Sequence, residues 1–426
     1  MKKVIASAGV LALGAIGVQS VRADMDLSTE RPWSLSGTLR GFYDDNYNTQ
    51  PNSSSAHLGS FGFEVRPQVS VAYSSGPTTL NASYTYSERY YVSRPGNKSD
   101  QSHDFEFTLL HSFNERYSVD LLESFVDAQE PEVIDSSFSF PLRANGDNYR
   151  NTAAANLHGQ ITPLLGFVVG YANSFYDYTS VTPGIDGPSY GTLLNRFEHL
   201  VTLDSTWRIS EETVGIFGYQ FQAVDYIAHG SLAPGAFPYV SPSTRDSYNH
   251  MVYVGAQHSV RSDLSVSLKA GVQYSDYYND TAGSNPSSLG PFVELSGEYT
   301  YMDGGTLTVG FRHSKNSTDV GFSTATRTVT DDQESSSVYA TVQQVMTPLS
   351  PKLIARLSAQ YQYSRFNGGG FNNESDVFYL LGLNLTYQFT HYLSAEAGYN
   401  YDLLQSDLPG RGYDRNRVYI GVTATY

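Results

Sequence analysis

The chain has 426 residues, no cysteine and a formal charge of −16, with 42 acidic against 26 basic side chains. That balance argues against nucleic acid as a partner, and without thiols there is no disulfide framework. A mean hydropathy of −0.33 excludes a bundle of membrane-spanning helices but not a barrel, in which half of every strand is polar.

Lys2 and Lys3 precede an apolar run from Val4 to Val18, and Val21-Arg22-Ala23 follows. This is the pattern of a secretory signal peptide over 1–23, and the run is too short to span a bilayer as a helix. The mature chain, 24–426, shows no linker, composition shift or charge block, so a single architecture is expected.

Period-two alternation then recurs to the end of the chain. Strands are predicted over 33–43, 60–73, 78–91, 103–112, 116–126, 148–160, 164–178, 193–208, 212–226, 247–259, 263–277, 290–301, 305–314, 334–346, 352–365, 375–388, 391–402 and 414–426. Leu264 to Tyr274 is the clearest: Leu264, Val266, Leu268, Ala270, Val272 and Tyr274 share one face, with Lys269 and Gln273 on the other. Eighteen strands is the count read here, with sixteen as the alternative if the less regular segments fail. Glu123 falls on the face of Val119, Leu121 and Phe125, and His199 on that of Phe197, Val201 and Leu203; a bulge could shift either strand.

The connections alternate between short and long. Ser74-Ser75-Gly76-Pro77, Asn114-Glu115, Thr162-Pro163 and Asp303-Gly304 carry turn chemistry. The segments 44–59, 92–102, 127–147, 179–192, 227–246, 278–289, 315–333, 366–374 and 403–413 are longer and rich in Gly, Ser, Asn, Asp and Pro. A soluble sandwich has no reason to sort its loops by length. An outer-membrane barrel does, with short periplasmic turns and longer extracellular loops. The 34 tyrosines and 22 phenylalanines suit the two aromatic girdles of such a wall. The fold expected is all-β, a transmembrane antiparallel up-and-down barrel.

The last strand, Arg417 to Tyr426, alternates Val418, Ile420, Val422, Ala424 and Tyr426 on one face. Its aromatic terminus, with Gly421 before it, resembles the C-terminal assembly signal of bacterial outer-membrane barrels, which implies the barrel assembly machinery as a partner. Together with Tyr-rich strands such as Asn81-Ala82-Ser83-Tyr84-Thr85-Tyr86 and Val168-Val169-Gly170-Tyr171, the chain over 33–426 resembles the porins called "putative β-barrel porin 2". The resemblance implies an outer-membrane location and passive diffusion, and names no solute.

If the apolar faces meet lipid, the other faces line the lumen. The candidate pore-lining set is Arg40, Glu64, Arg66, Asp104, Glu106, Arg196, Glu198, Asp204, Lys269, Glu294, Glu298, Arg312, Arg356 and Glu396. So much charge needs water or pairing. Gly166, Gly170, Gly218, Gly271, Gly310 and Gly382 on the same faces read as architectural, making room for neighbouring side chains. Porins commonly fold their third outer loop inward. The resemblance therefore suggests 127–147, with Asp127, Glu130, Glu132 and Asp135, as a constriction; a solvated surface loop is the alternative. Phe42, Tyr253, Phe292, Tyr339 and Phe378 could form an aromatic track, or serve as rim and packing residues.

The function expected is a channel for small polar solutes. The alternative is a structural or adhesive barrel acting through its extracellular loops. An outer-membrane hydrolase is less favoured: no G-x-S-x-G or H-E-x-x-H occurs, and the ten histidines are scattered. No cofactor or metal is expected. About ten residues between Ala23 and the first strand leave no room for a plug domain. Expected partners are outer-membrane lipid and small polar solutes, with a homo-oligomer open through the small residues Ala153, Ala155 and Gly159.

Overall fold

The computed structural model describes residues 31–51, 54, 58–128, 147–179, 188–233, 239–279, 287–323, 325–326 and 328–426. The signal peptide expected over 1–23 lies outside them.

In chain order the strands are β1 (Trp33–Asp44), β2 (Ser60–Ser75), β3 (Thr78–Tyr91), β4 (Ser99–Ser112), β5 (Tyr117–Ala128), β6 (Asn148–Gln160), β7 (Leu165–Tyr178), β8 (Arg196–Arg208), β9 (Thr213–Tyr226) and β10 (Ser247–Arg261). They continue with β11 (Leu264–Asp276), β12 (Ser287–Met302), β13 (Gly305–Asn316), β14 (Phe322–Ser323), β15 (Thr328–Val329), β16 (Asp332–Val345), β17 (Leu353–Asn367), β18 (Ser375–Thr390), β19 (Leu393–Ser406) and β20 (Tyr413–Thr425). A helical turn, α1 (Tyr190–Leu194), precedes β8. All strands except β14 and β15 form one 18-stranded sheet, each antiparallel to its neighbours in sequence, and β20 pairs with β1 to close it. A closed sheet has no unpaired edge, which matters in lipid, where no water can satisfy backbone groups.

Alternation places one face of each strand outward. Trp33, Leu35 and Leu39 of β1, Phe61, Phe63 and Val65 of β2, Leu268 and Val272 of β11, and Ile420 and Val422 of β20 are all exposed on that face. At the short-turn end, Trp33 and Tyr426 approach with centroids 6.1 Å apart, and the Arg31 guanidinium lies over both rings. At the other end, outward histidines alternate with tyrosines of the next strand: Tyr84–His103, Tyr171–His199 and Tyr219–His250 bond through Nδ1 at 2.7, 2.9 and 2.8 Å. His103, His199 and His250, far apart in the sequence, thus share one belt, where amphipathic rings suit an interface.

Two of the short turns depend on glycine. Gly76 and Gly304 have φ of +54° and +69°, the left-handed region that tight hairpins require and other residues avoid. The separation of short from long connections has one exception: 346–352, on the short-turn side, is as long as 92–98 on the other. The strand expected from residue 193 starts instead at Arg196. Ser189 caps α1 by accepting a hydrogen bond from the Thr192 N–H at 3.2 Å. Leu193 and Leu194 then bury against a loop from across the barrel rather than joining the wall. No bulge relieves β5 or β8: their registers run unbroken, and Glu123 and His199 do face outward.

Candidate functional site: a charged inner wall beneath a covered mouth

All fourteen residues expected to line the lumen stand on inward positions of their strands. The structure gathers them into groups. At the closing seam, Arg40 of β1 reaches Glu64 of β2 at 2.6 Å and Glu396 of β19 at 2.7 Å, and Arg89 of β3 reaches Glu64 at 3.1 Å. Tyr419 of β20 lies under the Arg40 guanidinium at 4.5 Å, and Asn384 of β18 donates to the Tyr419 hydroxyl at 3.0 Å. Arg66 follows on β2, with Asp104 and Glu106 on β4. Arg89 is absent from the expected set, although its alternation with Ser83, Thr85 and Ser87 places it on the same face.

Across the lumen, Lys269, Glu294 and Arg312 are register partners on β11, β12 and β13, a lateral row of alternating charge. Asp204 of β8 accepts a bond from Tyr253 of β10 at 2.5 Å and lies 3.9 Å from Lys269. Tyr253 crosses β9 to reach it, and only because position 218 is glycine: a Cβ there would stand 2.3 Å from the ring. Tyr339 lies over Gly310 and Tyr419 over Gly398 in the same way. Nearer the outer end, Arg196 pairs with Glu198 at 2.7 Å and stacks on Tyr176 at 4.0 Å. Arg356 donates to Gln343 at 2.5 Å, and Glu298 lies toward the short-turn end of β12. Among the aromatic candidates, Phe42, Tyr253, Phe292 and Phe378 are buried, so they pack and do not form an open track.

The long-loop end is covered. Residues 317–323 and 328–331 carry the β14–β15 pair from between β13 and β16 toward the inner face of β7, six strands away around the wall. There Phe322 and Val329 bury against Tyr176, Tyr178, Leu193 and Leu194, with Leu232 and Ala233 from the β9–β10 loop. Arg245 threads this layer: it donates to the carbonyls of Thr318, at 3.1 Å, and Leu193, and stacks on Tyr226 at 4.2 Å. Arg411 of the β19–β20 loop joins Asp319 and Asp376. A cavity of about 290 Å³ remains among these loops, lined by Leu193, Val320, Phe322, Phe371, Leu408 and Asp319, among others.

Burial disfavours the charged form of Arg411, but Asp319 and Asp376 outweigh it and hold its pKa above the ordinary value. Arg245 faces carbonyls and a ring instead, so burial draws its pKa down. Asp246, in the same layer, is pushed up to about 6 by burial, against the opposing bonds from the Tyr226 N–H and Asn279.

The constriction expected from 127–147 needs correction at one residue. Asp127 belongs to β5 and stands on its outward face, because the strand runs to Ala128 before the loop begins. Glu130, Glu132 and Asp135 lie outside the described residues. The loop that does fold inward among the described residues is 317–331. No sequence motif marks it, since what pins it are partners such as Arg411 and Leu193 far along the chain. Among the described residues no group of three or more His, Asp or Glu could hold a metal ion.

A family model described as "Putative beta-barrel porin 2" matches residues 313–426, the closing strands of the barrel. No curated protein matches. Solved structures share the barrel at low identity. OpdK of Pseudomonas aeruginosa, crystallised with vanillate, has 11% identity and a TM-score of 0.45, covering 92% of this chain and 99% of that one. OccAB4 of Acinetobacter baumannii has 11% identity and a TM-score of 0.43, covering 93% and 99%. The siderophore receptor PirA of Acinetobacter baumannii has 10% identity and a TM-score of 0.44, covering 92% and 80%. The likeness does not distinguish among these functions. The described residues form a closed eighteen-stranded β-barrel whose closing strands match the porin model.

Proposed function

We propose that this barrel is an outer-membrane channel for passive diffusion of small polar solutes, exported by its leader over 1–23. The observation that carries it is the inner wall. Side chains of both signs, Lys269, Glu294, Arg312, Arg40 and Glu396 among them, face the lumen and stay partly accessible below the covered mouth. Ionic groups stay charged inside a barrel only where water solvates them or partners pair them. An eighteen-strand circumference is too wide for wall side chains alone to fill. Charges of both signs on facing arcs favour dipolar and charged solutes over apolar ones.

Passage is limited at the mouth, where 317–331 and its partners cover the entrance. Liposome swelling with sugars and amino acids of graded size tests the channel. Size-dependent swelling is expected, and none at any size, with the folded protein inserted, would overturn it.

The same covered mouth favours a second reading, a closed barrel acting through its outer surface. Deletion of 319–330 separates the two. A channel held narrow by this loop swells faster after the deletion, whereas a barrel closed throughout its lumen does not respond.

A further inference from the structure

The loop that covers the mouth builds two separate apolar clusters. Phe322 packs with Tyr178, Leu193 and Leu232. Val320, two residues earlier, packs with Phe366 and Leu408, and Phe371 lies against them. The cavity of about 290 Å³ lies between the clusters, with Leu193 and Phe322 in one wall and Val320, Leu408 and Phe371 in the other. Its lining is buried except at Phe371, which is half-buried, and Pro409, which is exposed, so these two mark its open side. Asp319 is the one charged side chain of the lining. Arg411 takes both of its carboxylate oxygens, at 2.7 and 2.8 Å. The cavity therefore offers a guest no free charge.

An apolar cavity of about 150 Å³ already suffices to stay dry and to take benzene or xenon. We propose that the mouth cavity is a binding site for a small, uncharged, apolar molecule about the size of one ring. A charged guest loses its hydration there and finds no partner, because Asp319 and Arg411 already satisfy each other. An apolar guest loses nothing of that kind, and it removes its own surface and that of the walls from water. It also joins the two clusters into one, and both clusters hold the same loop through Val320 and Phe322. When the loop lifts, these two side chains leave the walls and the site is dismantled. The guest therefore binds the covered mouth and not the opened one, and by mass action it holds the mouth covered. It is a different class of molecule from the polar solutes of the lumen, at a different place.

The chain lacks cysteine, so one introduced thiol reports opening without background. Val329, in the cluster of Phe322, is 1% exposed. In the full-length Val329→Cys barrel a water-soluble maleimide reacts only when the loop lifts. Fluorobenzene at twice its Kd is expected to slow this labelling about threefold, the factor 1 + [L]/Kd for a guest of the covered form alone. Benzoate, the same ring with a charge, is expected to leave the rate unchanged. Val320→Phe, which fills the cavity from its own wall, should label slowly from the start and ignore fluorobenzene, with heat-modifiable migration confirming a folded barrel. Crystals of the wild-type chain under xenon are expected to hold xenon between Phe322 and Leu408. An unchanged rate with fluorobenzene, equal protection by benzoate, an equal response in the Val320→Phe background, or no xenon at that place would each overturn the proposal. Labelling requires no conduction, so its outcome is separate from that of liposome swelling.

Discussion

Arg411 clasps Asp319 through two parallel hydrogen bonds, Nη1 to Oδ2 at 2.8 Å and Nη2 to Oδ1 at 2.7 Å, with both side chains only 3% exposed. The pair joins loops set four strands apart around the mouth, and Nε of the same guanidinium reaches Asp376 of β18 at 2.7 Å. Removing one partner of a buried pair costs about 3–5 kcal/mol, because the other charge stays buried. Arg411→Ala leaves two carboxylates uncompensated, so the loop 317–331 should detach while the wall persists. Single-channel recording in planar bilayers is expected to show larger conductance and longer open times than wild type. Unchanged conductance would mean that this loop does not limit passage.

Acidification should close the mouth further. Asp246, pushed up to about 6 by burial, also faces Asp225, Arg245, Tyr278 and the Tyr226 N–H. Its folded-state value lies above that of a free carboxyl, so the closed layer binds the proton more tightly than the opened one. Its contribution is full below about pH 4, declines as the pH rises to about 6, and is flat above that. Conductance is expected to fall between pH 7 and 4.5, with Asp246→Asn locked near the low-pH behaviour. A variant that keeps the wild-type pH profile would assign the effect to other groups.

The closing seam carries its own buried clasp. Arg415 of β20 donates to Asp44 of β1 at 2.6 Å, and Arg417 reaches the same carboxylate at 3.1 Å. This ties the last strand to the first, the pairing that forms only when the barrel closes. Asp44→Ala leaves two guanidinium groups without that anchor, one of them fully buried, at a cost of about 3–5 kcal/mol. The folded form should lose heat resistance in gel-shift assays, with a lower midpoint and intact conductance below it. Asp44→Asn should be intermediate, since it keeps one acceptor.

What can be read from the sequence is whatever is periodic and local. Leu264 to Tyr274 announces a strand because each choice of face repeats every second residue, and the register then follows from turns such as Asp303-Gly304. The mouth is not legible in that way. Asp319 and Arg411 are 92 residues apart, neither sits in a motif, and their meeting depends on loop closure over the finished barrel. Leu193 continues the apparent alternation of Phe197, Val201 and Leu203 yet coils into α1 with Leu194, since tertiary burial against Phe322 outweighs so short a pattern. Glu123 shows the opposite case. Its outward position is plain from alternation, and only the expectation of a uniform lipid-facing wall made a bulge attractive.

The Tyr253–Asp204 bond gives the sharpest test of how the inner wall is built. The ring of β10 lies flat across β9 and is 1% exposed. It is wedged beside Phe292 at 5.7 Å and caps Gly218. A Gly218→Leu side chain would occupy the space of the ring, and overpacking of this kind costs about 1–3 kcal/mol. Tyr253 would have to swing into the lumen and abandon Asp204, whose nearest cation is then Lys269. Two signatures should appear together: slower assembly into lipid vesicles, and reduced conductance from a displaced ring. Tyr253→Phe separates the causes. It keeps the packing and removes one charge-assisted bond, at about 1.5–3 kcal/mol, so assembly should slow slightly while conductance holds. If Gly218→Leu behaves as Tyr253→Phe does, the glycine supplies no room for the ring and its role lies elsewhere in the wall.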